Sequence, residues 1–134
     1  MSDAITHLKV PIDREEREIC LGPDGSVAHV NRVLRMISGR WKLPILFRLF
    51  AEPTMRTSQL LRDIPNISQK MLTQHLRELE DDGLVARRNF GEQPPHVEYR
   101  LTEPGRGLLP MLISVREFSR LHPDLKPTGS ALAR

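Results

Sequence analysis

Between His29 and Ser119, apolar side chains recur at helical spacing in five blocks punctuated by Gly and Pro, with one stretch of strict alternation before the last block. Val30, Val33, Leu34 and Ile37 predict a helix from His29 to Ile37, ended by Gly39. Trp41, Ile45, Leu46, Leu49 and Phe50 predict a second, from Trp41 to Ala51. Pro44 falls in its first turn, where a missing N–H is tolerated, and Pro53 stops it. Met55 and Arg56 then form a short extended segment. Thr57 or Ser58 caps a helix that buries Leu60, Leu61 and Ile64. Pro65 and Asn66 turn the chain, Ser68 caps a longer helix, and Ile67 is placed to staple onto Leu72. Gly83 closes that helix at the first position beyond its end. Two helices joined by a turn of about four residues make a helix-turn-helix.

Beyond Gly83, "LVARRNF" is short and partly β-forming, "GEQPPH" is a turn, and "VEYRL" alternates with Val97, Tyr99 and Leu101 on one face. These segments predict a two-stranded hairpin whose first strand is basic. Thr102 starts the last helix, with Pro104 in its first turn. Leu108, Leu109, Leu112, Val115 and Phe118 follow its period, and Pro110 implies a kink or a lost hydrogen bond. The expected organisation is an N-terminal arm over 1–27, broken by "LGPDG", a helix-turn-helix domain over 28–122, and a flexible tail over 123–134. The fold class is mainly α with a small β-hairpin.

The helix from Ser68 to Asp82 distributes its polar residues unusually. On a helical wheel Leu72, Leu76 and Leu79 fall in one sector, and Lys70, Thr73, Gln74 and Arg77 lie opposite. No acid precedes Glu78; then Glu80, Asp81 and Asp82 follow closely. A helix dipole by itself favours the reverse order, acids first. A donor-rich, acid-free N-terminal half suits insertion into a DNA major groove, where Gln and Arg pair with base edges and the positive helix end favours phosphate. Taken alone, the same pattern describes an ordinary amphipathic surface helix. The basic hairpin that follows it changes the reading. Helix, turn, helix and ribbon is the order of a winged helix, with Arg87, Arg88 and Asn89 on the ribbon.

Charge points the same way. The 134 residues carry a net +3, but residues 1–25 hold three bases against six acids, whereas residues 26–107 hold thirteen bases against nine acids. The basic body favours a polyanionic partner. Candidate chemistry of other kinds is sparse. The single cysteine, Cys20, excludes an intrachain disulfide and a cysteine-based zinc site. The five histidines show no metal-ligand spacing, and no cofactor or catalytic motif is recognisable, so an enzyme is not expected. No signal peptide and no membrane-spanning apolar run is visible, and a cytoplasmic location is expected.

"ISGRWKLPILFRLF", "LLRDIPNISQKMLTQHLRELEDDGLVAR" and "PPHVEYRLTEPGRGLLPML", taken together and in order, resemble the HxlR family of bacterial winged-helix transcription regulators, relatives of the MarR group. The likeness covers roughly residues 31–119. It implies a homodimer on double-stranded DNA, with terminal helices packed together, recognition helices in successive major grooves and wings on the minor groove or backbone. The implied groove-facing set is Ser68, Gln69, Lys70, Thr73, Gln74 and Arg77. Arg87, Arg88, Asn89, Pro94, Pro95 and His96 form the implied wing. Leu108, Leu112, Val115 and Phe118 are the expected dimer residues. Some members sense oxidants through a cysteine about thirteen residues before the tryptophan. That position here is Ala28, so Cys20 is a redox-sensor candidate only by being the chain's one thiol. A small-molecule effector is also compatible. The alternative function is a winged-helix module that binds protein rather than a chosen duplex.

Overall fold

The alternating segment Val97–Leu101 lies at the centre of a three-stranded sheet. In the computed structural model, which describes residues 19–129, the strands β1 (Met55–Arg56), β2 (Val85–Asn89) and β3 (Val97–Leu101) are antiparallel in the order β1-β3-β2. Met55 and Arg87 both pair with Tyr99, and Arg56 and Arg88 both pair with Glu98. Directly opposed residues share a face of the sheet. Tyr99 and Met55 are therefore buried beneath the sheet, and Arg87 lies on that side too. Arg56, Glu98 and Arg88 form a row on the other side. The expected ribbon had two strands. The third is the short extended segment expected at Met55 and Arg56, whose pairing with β3 two residues are too few to announce.

Among the described residues the longer helices are α1 (Ser26–Ile37), α2 (Lys42–Ala51), α3 (Thr57–Asp63), α4 (Gln69–Asp81) and α5 (Glu103–Leu121). The chain divides into two compact units, with the boundary between Ile37 and Ser38. In the first unit, a helical turn at 19–21 precedes α1. The helix begins three residues before the expected His29, after a turn closed by Gly25 N–H donating to the Gly22 carbonyl at 2.9 Å. Val27, Val30 and Leu34 on α1 are exposed. The rest of the expected arm, including Arg14 and Arg17, lies outside the described residues.

The second unit holds a continuous apolar core. Ile45, Leu46, Leu60, Leu72, Leu76, Leu79 and Val85 are fully buried, and Trp41 anchors the start of α2 with the Arg40 guanidinium 4.5 Å from its ring centre. Each such aliphatic side chain contributes about 1.5–3 kcal/mol relative to exposure. Gly83 adopts φ +84° beyond α4, and its N–H and that of Leu84 return to the carbonyls of Glu80 and Leu79, both at 3.0 Å. This left-handed cap turns the chain directly into β2. Thr102 then ties α5 to the same corner: its hydroxyl donates to the Gly83 carbonyl at 2.6 Å and accepts from Gly105 N–H at 3.1 Å. Gly105 sits so close that a Cβ there would collide with the Leu84 carbonyl oxygen. The helix runs through Pro110 to Leu121, and residues 122–129 form no helix or strand. Among the described residues, no helix is long and apolar enough to cross a membrane, and no cluster of His, Cys, Asp and Glu is arranged to hold a metal ion.

Candidate nucleic-acid interface

Helix α4 is fixed from its start by Ser68, whose Oγ accepts the Met71 N–H at 3.1 Å. Below it, Leu72, Leu76 and Leu79 are buried to 1% exposure or less. The opposite face is open. Ser68, Gln69, Lys70, Thr73, Gln74 and Arg77 are all exposed, so the six positions expected to face a groove are accessible together. Across a cleft of about 310 Å³, Arg87 on β2 stands opposite Thr73 and Arg77 on α4. Its pairing with Tyr99 turns it toward the helix, whereas Arg88 lies on the outer face of the sheet, over the Phe90 ring at 4.5 Å. The two arginines thus leave opposite faces of the strand, and both border a cleft with Thr54, Glu98 and Arg100.

Glu78, the first acid of α4, has a structural partner. Its Oε1 lies 2.9 Å from Lys42 Nζ on α2, and the Lys42 side chain is only 11% exposed. The ammonium of Lys42 and the amide of Gln74 hold the Glu78 carboxyl below its ordinary range. Gln74 Nε2 donates to Glu78 Oε2 at 3.2 Å, and His75 Nδ1 lies 3.6 Å from the other oxygen. One carboxylate thus pins α4 to α2 and steadies the exposed amide of Gln74. A similar tie holds α3: Arg48 Nη2 lies 2.9 Å from Asp63 Oδ2, and this bond keeps the Asp63 carboxyl below its ordinary range.

The wing is more self-contained than the sequence suggests. Asn89 Oδ1 accepts the Gly91 N–H at 2.8 Å and so shapes the loop. His96 is engaged within the wing. It is half-buried, with Nδ1 3.1 Å from Glu92 and Nε2 2.8 Å from Glu98, and its ring lies 4.5 Å from that of Phe90. Pro94 and Pro95 are exposed at the tip. Beside the hairpin's basic residues, Glu92 and Glu98 converge on its histidine, an arrangement that charge along the sequence does not reveal. A separation of two along a strand was the available signal for Glu98.

The expected dimer residues also divide. Leu112 is buried and Leu108 half-buried, whereas Val115 and Phe118 are exposed beside Ile113 and Leu121 on α5. Cys20 is half-buried in the turn at 19–21, and Ala28 lies on α1.

Comparison with known proteins agrees with this arrangement. The HxlR-like helix-turn-helix family matches residues 36–126. An uncharacterised HTH-type transcriptional regulator of Bacillus subtilis, YtcD, is 51% identical over 100 residues, covering 71% of this chain and 79% of its own. Among solved structures, a MarR-family transcriptional regulator from Enterococcus faecalis V583 superposes with a TM-score of 0.69 at 39% identity, covering 74% of this chain and 89% of that one. The redox regulator HypR in its reduced form gives a TM-score of 0.66 at 38% identity, over 72% of this chain and 94% of that one.

Proposed function

The chain belongs to the HxlR-like helix-turn-helix family of transcriptional regulators, and we propose that it acts as a homodimer on a pseudo-palindromic operator. Helix α4 enters the major groove. Lys70, Thr73, Gln74 and Arg77 read base edges, while Ser68 and Gln69 at the helix start approach phosphate. Arg87 and Arg88 position the protein through the backbone, and Asn89 and His96 hold the wing in shape. The carrying observation is the exposed, donor-rich N-terminal half of α4, which holds no acid before Glu78 and lies opposite the buried leucines. Acids there would repel the duplex; they appear only toward the helix end, where Glu78 pairs with Lys42 and Glu80 and Asp81 border the clefts beside Arg77.

Dimerisation joins α5 to its symmetry mate through Val115 and Phe118, extended by Ile113 and Leu121. An exposed apolar strip of this kind on a helix calls for a cover. Two-fold symmetry then places the half-sites about 10 or 20 base pairs apart. A thiol-based input rests on Cys20, the single cysteine: a peroxide, reduced to water and alcohol or to two waters, would take two electrons and two protons from the Cys20 thiols of two copies and leave an intermolecular disulfide. Selection of bound duplexes from a random pool at a stated salt concentration tests the reading. An enriched palindrome supports it. Equal recovery of all duplexes with a shallow salt dependence would instead favour a protein-binding module.

A further inference from the structure

A cleft of about 490 Å³ lies away from the face of α4, where the end of α2 meets β3 and the first turns of α5. Leu49, Phe50, Pro53, Leu101 and Leu109 make its lining largely apolar. Two cations border it. Arg106 is anchored by a hydrogen bond from Nη1 to the Leu101 carbonyl at 3.0 Å, and Arg100 projects from β3. Among the described residues, neither guanidinium is paired with a carboxylate. The volume falls within the range of small-molecule pockets, which combine an apolar body with a few placed polar groups. Guanidinium groups match carboxylates bidentately.

We propose that this cleft binds a small amphipathic carboxylate, its aromatic or aliphatic body on Phe50, Leu101 and Leu109 and its carboxylate between Arg100 and Arg106. A bare phosphate would satisfy the arginines but leave the apolar wall wet, and an uncharged hydrocarbon would leave both cations without a partner. The position has a regulatory consequence, which rests on the operator-binding reading above. The floor of the cleft is α2, which is tied to α4 through Lys42 and Glu78 and to α3 through Arg48 and Asp63. One wall is β3, the middle strand of the sheet that carries the wing. An occupant therefore bears on both elements placed to meet DNA.

The test uses the full chain and calorimetric titration with cinnamate and octanoate. Cinnamamide and octanamide serve as uncharged controls, and acetate and phosphate as controls without an apolar body. The expected result is saturable binding of both carboxylates at millimolar concentration or below, with every control at least about tenfold weaker. Arg100→Ala, an exposed site, and Arg106→Ala should each weaken octanoate by about tenfold or more, with melting curves confirming that the variants fold. Equal binding of acid and amide, full affinity in both variants, or no binding of either carboxylate overturns the proposal. Operator affinity is measured in parallel. A change caused by octanoate in the wild type but not in Arg100→Ala supports the regulatory role, and an unchanged affinity at saturating octanoate overturns it. A chain that binds octanoate but selects no duplex refutes the operator reading and leaves the cleft assignment standing.

Discussion

Removing the carboxylate of Glu78 should cost more stability than removing the ammonium of Lys42. The pair is 2.9 Å apart, with the Lys42 side chain 11% exposed and that of Glu78 41% exposed. Fully exposed pairs contribute about 0–1 kcal/mol, and breaking fully buried ones costs about 3–5 kcal/mol. Solvent screens one end of this pair, so Glu78→Ala should cost about 1–2 kcal/mol, because it leaves the buried ammonium without a counter-ion. Lys42→Met should cost less than about 1 kcal/mol, since water can solvate the carboxylate left behind and the methionine stem fills the same space. The sign with pH follows from the lowered pKa of Glu78. Its stabilising contribution is complete above the unfolded carboxyl pKa, about 4.3, and is lost as pH falls through the lower folded value. Urea denaturation followed by Trp41, the single tryptophan and a buried one, reads these effects. With an unchanged slope, a loss of about 1–2 kcal/mol moves the midpoint by roughly 0.5–1 M. The gap between wild type and Glu78→Ala should narrow in acid. A larger loss in Lys42→Met than in Glu78→Ala, or a gap that widens as pH falls, would refute the reasoning.

Other consequences concern the scaffold and the interface. Leu76→Ala, at 1% exposure beneath α4, should lower stability by about 2–5 kcal/mol in the same denaturation assay. Ser68→Ala removes the cap of α4 and should cost about 1 kcal/mol. Gly105→Ala drives a methyl group into the Leu84 carbonyl, so its melting temperature should fall while the equally helical Gly107→Ala, which has open space, stays close to wild type or rises. Arg87→Ala combined with Arg88→Ala should weaken all duplexes alike and flatten the salt slope by about one unit per lost phosphate contact.

The local grammar of the site was legible. The four-then-three spacing of Leu72, Leu76 and Leu79 identifies the buried face of α4 because helix period alone determines it, and Ser68 and Gly83 mark its ends through chemistry confined to one turn. What was not legible depends on pairs distant in sequence. Lys42 meets Glu78 across two helices, and nothing in either local pattern announces it. Met55 and Arg56 become a strand only because β3 lies beside them. His96 is a different case: Glu98 and Glu92 are only two and four residues away, and it is the conformation of the loop that turns both carboxylates onto its ring. The cleft beside Arg100 and Arg106 likewise exists only once α2, β3 and α5 are assembled. Leu112 shares its period with Val115 and Phe118, and the period cannot say which of them the protomer covers itself.

The most direct test of the central claim is a binding matrix: wild type, Lys70→Ala and Gln74→Ala, each titrated at one salt concentration against the selected operator and against duplexes altered one base pair at a time. Each variant should lose roughly 1–3 kcal/mol on the operator and become indifferent to the identity of one base pair, at symmetric positions in the two half-sites. A uniform loss across every duplex, with base preferences intact, would contradict the assignment of α4 as the reading element.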